Sequence, residues 1–390
     1  MKLAEEKELC CGCTACESIC PTGGGGHALT LKSDDEGFLY PHIDPEKCIS
    51  CHACERACFY QSGKLVVADR LVQQQAFAVK AADESLRTVS QSGGAFGVLA
   101  RQIIAQGGVI YGAAFDEAGV ARHIRVTTAA GLQRIHGSKY VQSDLRGIFV
   151  QVKQDLTDGR RVLFSGTACQ VMGLRKYLQR PYPDLVTVDI ICYGVPSPLI
   201  WREVLSYLSR PEYGRLERVE HRAKDFGWHK CLMRLTYEHK TIVTDVWNRF
   251  WGPALATRPS CYECQFTNLE RPGDLTVGDC WGAQEKMPEF DDNCGISLLL
   301  VNTQIGRNLY EAVQTGFTVR PIDIAEFMQP RLRVPTTRPA GREQFWRDHE
   351  TMTTAAFIRR YAGLSLAQRI RRRLAGITFL RRIYHSLIRS

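Results

Sequence analysis

The sequence predicts an α/β protein in which a small α+β head precedes a larger α/β body with a mostly parallel sheet. Two observations predict it. Nine of the 16 cysteines lie before residue 60, and from Ser90 onwards short apolar strands alternate with loops and helices. The 390 residues are 44% hydrophobic and 23% charged, which suits two or three globular domains. The chain contains no uncharged apolar run of about 18 residues, the length that would cross a membrane.

The net charge of +9 is concentrated at one end of the chain. Residues 357–390 contain nine arginines and no Asp, Glu or Lys, so the rest of the chain is neutral overall, and its first 60 residues are acidic. This distribution argues against nucleic-acid binding by the body. The N-terminal segment has no apolar signal sequence, which predicts a cytoplasmic protein. Disulfides do not persist in the cytoplasm, so the cysteines predict metal or redox centres.

Eight cysteines of the head form two identical runs, C-x2-C-x2-C-x3-C, which is the bacterial ferredoxin spacing for [4Fe–4S] clusters. Three thiolates on a tight turn can hold one cluster, while the fourth points to the other cluster. The predicted ligands are Cys10, Cys13, Cys16 and Cys58 for one cluster, and Cys48, Cys51, Cys54 and Cys20 for the other. A zinc site is the alternative, but it favours two separated C-x2-C pairs. Cys11 lies outside the pattern and is interpreted as a bystander.

The body begins with two candidate phosphate-binding loops. Ser92-Gly93-Gly94 precedes a helix, with Ser92 as the expected N-cap, and Gly166-Thr167 follows the strand 161–164. Glycine-rich helix starts are also ordinary caps, so neither loop is decisive alone. A third segment, Gly137–Tyr140, adds the Ser138 hydroxyl and the Lys139 ammonium on a predicted loop.

A third group of cysteines is predicted in the body. Cys169 and Cys192 each follow a predicted strand, so they should face the same edge of the sheet, and Cys261-x2-Cys264 forms a tight turn. These four residues are candidate ligands of one more [4Fe–4S] cluster. The alternative is that they are small buried hydrophobic residues, which is the interpretation adopted for Cys231 and Cys280.

The order of these motifs resembles that of the coenzyme F420 hydrogenase/dehydrogenase beta-subunit family, in its long form with a fused two-cluster ferredoxin domain. The resemblance covers roughly residues 8–345. Besides the cysteine motifs it rests on residues 92–94, 112–115, 137–143, 164–170, 192–197 and 274–282. The chain departs from the family pattern at Ala168, Tyr193 and Cys280, where proline, histidine and an aromatic residue are usual.

The resemblance implies an iron–sulfur flavoprotein. It implies that electrons pass between the clusters, FAD and a two-electron organic acceptor, F420 or another. The FAD diphosphate is then expected at Ser92, Gly93, Gly94, Gly166 and Thr167. Ser138 is a further candidate contact, and Lys139 is expected near the flavin as the catalytic residue. The alternative is a non-catalytic electron-transfer subunit that feeds a partner enzyme.

The predicted domains are a two-cluster head (1–62), a linker (63–89), a catalytic body (90–345) and a basic amphipathic helical tail (346–390). The tail is predicted to lie on the inner face of the membrane, or else to dock on a partner or on a second copy of the chain. The expected partners are a redox protein or a small-molecule acceptor, and no nucleic acid.

Overall fold

The computed structural model describes residues 3, 6–22, 28–67 and 69–363. The head contains two short strands that pair antiparallel and three short helices. Its strands are β1 (Leu29–Ser33) and β2 (Leu39–Ile43), and its helices are α1 (Ala15–Ser18), α2 (Ala53–Ala57) and α3 (Phe59–Ser62). The turn between the strands is held by Asp34, whose carboxylate accepts the N–H groups of Glu36 and Phe38.

The body contains an eight-stranded sheet and a separate three-stranded antiparallel sheet. Its strands are β3 (Arg70–Ala81), β4 (Val109–Phe115), β5 (Ala121–Val126), β6 (Val162–Thr167), β7 (Leu185–Ile190), β8 (Leu216–Ala223), β9 (Leu232–Tyr237), β10 (Thr241–Thr244), β11 (Leu275–Asp279), β12 (Ser297–Thr303) and β13 (Phe317–Pro321). The large sheet has the order β13-β3-β12-β11-β7-β6-β4-β5. Its central pairs β11–β7, β7–β6 and β6–β4 are parallel, and both flanks are antiparallel. The predicted α/β class is confirmed.

Helices cover both faces of the large sheet, which explains why its central strands are continuously apolar. The helices of the body are α4 (Glu84–Val89), α5 (Ala95–Ala105), α6 (Ala129–Ile135), α7 (Ile148–Thr157), α8 (Ala168–Leu178), α9 (Pro198–Leu208), α10 (Val246–Trp251), α11 (Ala283–Lys286), α12 (Gln304–Val313), α13 (Arg342–Thr351) and α14 (Thr354–Tyr361). Helices α5 and α12 pack on one hydrophobic core, and α7 and α8 pack on another. The predicted strand at 161–164 corresponds to β6.

Residues 63–89 are not a linker, which corrects the sequence prediction. Residues 70–81 form β3, which pairs with both β12 and β13 inside the large sheet. Only the second half of β3 is apolar and buried, because Gln73–Gln75 interrupt the alternating pattern. The side-chain amide of Gln74 is satisfied by hydrogen bonds that it donates to the carbonyl of Leu269 and to the side-chain oxygen of Asn302.

The first part of the predicted tail also packs on the body. Helices α13 and α14 contribute Phe345, Phe357 and Ile358, all fully buried, to a core shared with α9 and α10. The tail therefore starts after this core and not at residue 346. The amphipathic pattern of residues 370–387 lies outside the described residues. In the part of the chain that the structure describes, no helix is long and apolar enough to cross a membrane.

Phe357→Ala should destabilise the body by about 3–5 kcal/mol, because it leaves a cavity between Phe250, Phe345 and Tyr361. Urea unfolding followed by near-UV circular dichroism measures the change. Arg359→Ala, an exposed neighbour on the same helix, should change the unfolding free energy by less than about 0.5 kcal/mol. Equal stability of the two variants would contradict the packing of α14.

Candidate functional site

The structure brings together the four cysteines that were predicted to hold the outer head cluster. Cys20, Cys48, Cys51 and Cys54 line one small apolar pocket, with Leu29 and Ile43 beside them. Cys51 is exposed at the protein surface. The fourth cysteine of one run therefore lies beside the first three of the other.

The inner group consists of Cys10, Cys13, Cys16 and Cys58, and it is more deeply placed. Burial, together with the nearby Cys13 and Cys10 thiolates, raises the pKa of Cys58 to about 11. Burial likewise raises the pKa of Cys16, helped by Cys13, Cys10 and Cys58. These mutual effects require the four sulfur atoms to lie close together, which fits four thiolates facing one cluster.

The spacing of the two cysteine runs favours clusters over single metal ions. Among the described residues, no three His, Cys, Asp or Glu side chains converge closely enough to hold one ion. A structural zinc site needs a tight tetrahedron of four such ligands. The head cysteines instead surround a common space, so the donor chemistry matches iron–sulfur clusters.

The four body cysteines also meet in one cavity. Cys169 lies in the first turn of α8, Cys192 follows β7, and Cys261 and Cys264 flank the turn after Pro259. Burial raises the pKa of Cys192 to about 12 and that of Cys264 to about 11. Four buried thiols around one space fit the donor set of a third [4Fe–4S] cluster.

Cys11 connects the head to this third group. Its buried thiol lies within hydrogen-bond reach of Cys13 in the inner head group and of Cys169 in the body group. The Cys11 hydrogen bond is the main cause of the lowered pKa of Cys169, which is about 7. Sequence spacing alone gave no signal for this position, because Cys11 lies outside both cysteine runs.

A larger cavity of about 230 Å³ adjoins the third cysteine group. The two cavities share Thr167, Cys192, Gly194 and Val195 in their walls. All but one of the predicted flavin-binding residues line the larger cavity: Ser92, Gly94, Ser138, Lys139, Gly166 and Thr167. Gly93 lies behind this wall, where a Cβ would be 2.3 Å from the Val79 carbonyl oxygen.

The Ser92-Gly93-Gly94 segment differs from its predicted role. The Ser92 hydroxyl donates to the Ile296 carbonyl (2.6 Å), and the Gly93 N–H donates to the Ser297 hydroxyl (2.9 Å). The N-cap of α5 is Gly94, at φ 84°, and not Ser92, because Ser92 is used to fix the loop against β12. No side chain caps α5. Residues 94–97 at the start of α5 line the cavity, and the first N–H groups of a helix have no intrahelical partner, so this end of α5 fits an anion such as a diphosphate.

The second loop, Gly166-Thr167, is held by a capping box. The Thr167 N–H donates to the Gln170 side-chain oxygen (2.9 Å), and Gln170 donates to the Ser143 hydroxyl. Ser143 also bonds Nδ1 of His123, whose Nε2 lies 2.9 Å from the Ser165 carbonyl. This network fixes the floor of the cavity. Burial of the His123 ring lowers its pKa to about 4.

Lys139 lines the cavity, but all three N–H groups of its ammonium are engaged in hydrogen bonds to the protein backbone. It donates to the carbonyls of Arg134 (3.2 Å), His136 (2.9 Å) and Gly137 (3.0 Å) at the end of α6. Burial lowers its pKa to about 7. Three donors serve three carbonyls, so in this structure Lys139 fixes the 136–140 loop and presents no free hydrogen to a ligand.

Aromatic residues form a further part of the cavity wall. Tyr140 stacks on Trp251 (4.7 Å between ring centroids), and Tyr193 stacks on Trp281 (4.9 Å). An Arg222–Asp279 ion pair lies in the same wall. Tyr140, Tyr193 and Trp281 fall in segments that carry the resemblance, whereas Trp251 and Arg222 lie outside every motif and had no local signal.

His136 supplies a further sign of a ligand in this cavity. Within the described residues, neither of its buried ring nitrogens has a hydrogen-bond partner, although the side chain lines the cavity. Buried polar atoms are normally satisfied. An elongated ligand with polar groups would satisfy them. The open α5 N-terminus, the aromatic wall and this histidine therefore fit a flavin nucleotide.

Comparisons with known proteins identify the class. Residues 9–62 match the 4Fe-4S dicluster domain, so the head is an iron–sulfur electron-transfer module. Residues 159–324 match the C terminus of the coenzyme F420 hydrogenase/dehydrogenase beta subunit. The predicted resemblance is confirmed: the chain is an iron–sulfur electron-transfer protein related to that beta subunit.

One similar structure is a chain of the xenon-derivatised F420-reducing [NiFe] hydrogenase complex from Methanosarcina barkeri. It is 15% identical, with a TM-score of 0.47, over 68% of this chain and 90% of that chain. A search of curated proteins found no match.

Low pH should destabilise the body through His123. The unfolded histidine binds a proton below about pH 6.5, whereas the folded one stays neutral down to about pH 4. The free energy of unfolding should therefore fall as the pH is lowered from 6.5 to 4, by about 3 kcal/mol from this residue. His123→Gln can keep both hydrogen bonds without titrating. Its unfolding free energy, measured by urea titration at several pH values, should fall less steeply than that of the wild type. Parallel curves would contradict this assignment.

Proposed function

We propose that the chain is an iron–sulfur flavoprotein oxidoreductase that connects a one-electron donor to a two-electron organic acceptor. The observation that carries the proposal is that the third cysteine group and the large cavity share a wall. A redox centre held by those cysteines would lie directly beside a ligand in the cavity. FAD, when bound, would couple the one-electron chemistry of clusters to the two-electron chemistry of an organic acceptor.

We propose that the three cysteine groups form a path for electrons between the protein surface and the cavity. The outer group reaches the surface at Cys51, and the inner group is linked by Cys11 to the body group. The chain thereby keeps the redox sites close together and excludes water from the inner ones. We propose that the outer group receives electrons from, or gives them to, a redox partner protein.

The residues that would hold FAD follow from the cavity walls. The open N-terminus of α5 would bind the diphosphate, and the capped loop at Gly166-Thr167 would support it. Ser138 and His136 offer polar contacts on the loop that Lys139 fixes. The aromatic wall would accept flat rings, which suits a planar acceptor such as a deazaflavin. Lys139 is therefore proposed as a positioning residue for its loop.

The domain organisation follows as part of the proposal. We propose a two-cluster head up to residue 62, a body from Arg70 to Gly363, and a basic segment after it. Whether this basic segment contacts a membrane is decided by sedimentation with anionic liposomes, using a chain shortened after residue 363 as the comparison.

The third cluster predicts a specific iron content. Anaerobically purified protein should contain about 12 irons per chain, and Cys261→Ala or Cys264→Ala should reduce this to about eight. Cys294→Ala is the matched control, because Cys294 is exposed and outside all three groups. Iron and acid-labile sulfide analysis measures the change. About eight irons in the wild type would rule out the third cluster and leave only the head.

If the FAD diphosphate binds at the N-terminus of α5, a negative charge placed there should weaken FAD binding. Phe96 lies in the first turn of α5 and lines the cavity. Phe96→Glu places a carboxylate there, which suits the helix dipole but repels a diphosphate. FAD affinity should be at least about tenfold lower than in Phe96→Gln, which has the same shape without the charge.

Equilibrium dialysis with FAD measures both variants. Equal affinities would place the diphosphate elsewhere, and absence of FAD from the wild type would overturn the flavoprotein assignment. Reduction of a deazaflavin or nicotinamide by the isolated chain distinguishes an enzyme from a subunit that only feeds a partner.

A further inference from the structure

Arg258 is a buried cation at the junction of head and body. It is 0% exposed and lies directly before the turn Pro259–Cys261. Its guanidinium donates to the Cys10 carbonyl (2.6 Å), the Leu39 carbonyl (2.9 Å) and the Gln142 side-chain oxygen (3.0 Å). It also approaches the Cys10 sulfur at 3.4 Å. A residue of the body thus contacts a predicted cluster ligand of the head.

No carboxylate pairs with Arg258 within the described residues, and its hydrogen-bond acceptors other than the thiol are neutral. The other buried arginines of that part of the chain each have a carboxylate partner. These ion pairs are Arg87–Asp292, Arg271–Asp189 and Arg342–Glu36. Arg258 is therefore the exception among the described buried arginines.

A buried charge without a counter-charge is costly, so an anion is expected beside Arg258. The aromatic rings of Tyr40 and Phe38, with centroids 4.3 and 5.3 Å from the guanidinium carbon, cover its other side. They exclude water and keep the local dielectric low. The nearest anionic chemistry on the open side is the thiolate group that begins with Cys10.

We propose that Arg258 is the counter-charge of the iron–sulfur cluster at Cys10, Cys13, Cys16 and Cys58, and that it raises the reduction potential of this cluster. The inference rests on the head clusters of the proposed function. Reduction adds one negative charge to a cluster, and a fixed cation in a low dielectric stabilises the reduced form more than the oxidised form.

We expect the largest effect at this cluster, because Arg258 contacts Cys10 directly, while its charge also acts on Cys169 and Cys261 of the body group. The outer group at Cys20, Cys48, Cys51 and Cys54 is not contacted by Arg258. Near the body group, Arg271 is already neutralised by Asp189, to which its guanidinium donates at 2.6 and 3.0 Å. The inner head cluster, unlike the outer one, therefore has an arginine without a carboxylate partner in direct contact with one of its predicted ligands.

The test is a redox titration of the full chain, purified anaerobically and followed by electron paramagnetic resonance. In Arg258→Gln and Arg258→Met, one head cluster should become at least tenfold harder to reduce, which is about 59 mV for one electron. In Arg258→Lys, which keeps the charge, the reduction potential of the same cluster should lie within about 59 mV of the wild-type value. The matched control is Glu36→Gln combined with Arg342→Gln, which removes a neutral ion pair from the same junction and should leave both head potentials unchanged.

Each outcome decides the question. Unchanged potentials in a neutral variant with full iron content would overturn the proposal, and so would an equal shift in the lysine variant. If both neutral variants lose the inner cluster while the lysine variant keeps it, the counter-charge is supported; loss in all three overturns it. Wild-type protein with no head clusters would instead contradict the proposed function, so the two failures are distinguishable.

Discussion

The close contact of the head with α8 is the constraint on which the rest of the site depends. Gly173, in the middle of α8, has no side chain where Cys13 approaches, and a Cβ there would lie 2.7 Å from the Cys13 sulfur. The same helix begins at the cavity and carries Cys169 in its first turn. One helix therefore fixes the spacing between the inner head group, the body group and the ligand cavity. A side chain at position 173 would disturb all three spacings together.

Two arginines of the body hold this contact by different means. Arg342 forms a bidentate ion pair with Glu36 and stabilises the junction as a conventional buried pair. Arg258 has hydrogen bonds but no carboxylate, so its charge remains available to the cysteine group beside it. Structural support and electrostatic tuning are thus carried by separate residues at one junction.

The sequence predicted what is local in the chain. The cysteine runs have a fixed ligand spacing, and β4, β6 and β7 are short continuous apolar segments, so both could be recognised. Strand β3 was not predicted because Gln73–Gln75 interrupt its alternation of apolar and polar residues. Its strand conformation depends on pairing with β12 and β13, which are distant in the chain. The N-cap of α5 was misplaced because Ser92 is recruited by Ile296, about two hundred residues away in the chain. Long-range partners of this kind are not visible in local patterns.

The position of β3 has a consequence for biosynthesis. Its partners β12 and β13 are translated more than two hundred residues later, so the large sheet cannot close until residue 321 has been made. All nine cysteines of the head leave the ribosome before β3, whereas Cys264 is made only shortly before the sheet is complete. Maturation of the head can begin on the nascent chain. Insertion of any group at the body cysteines must wait for nearly the whole polypeptide.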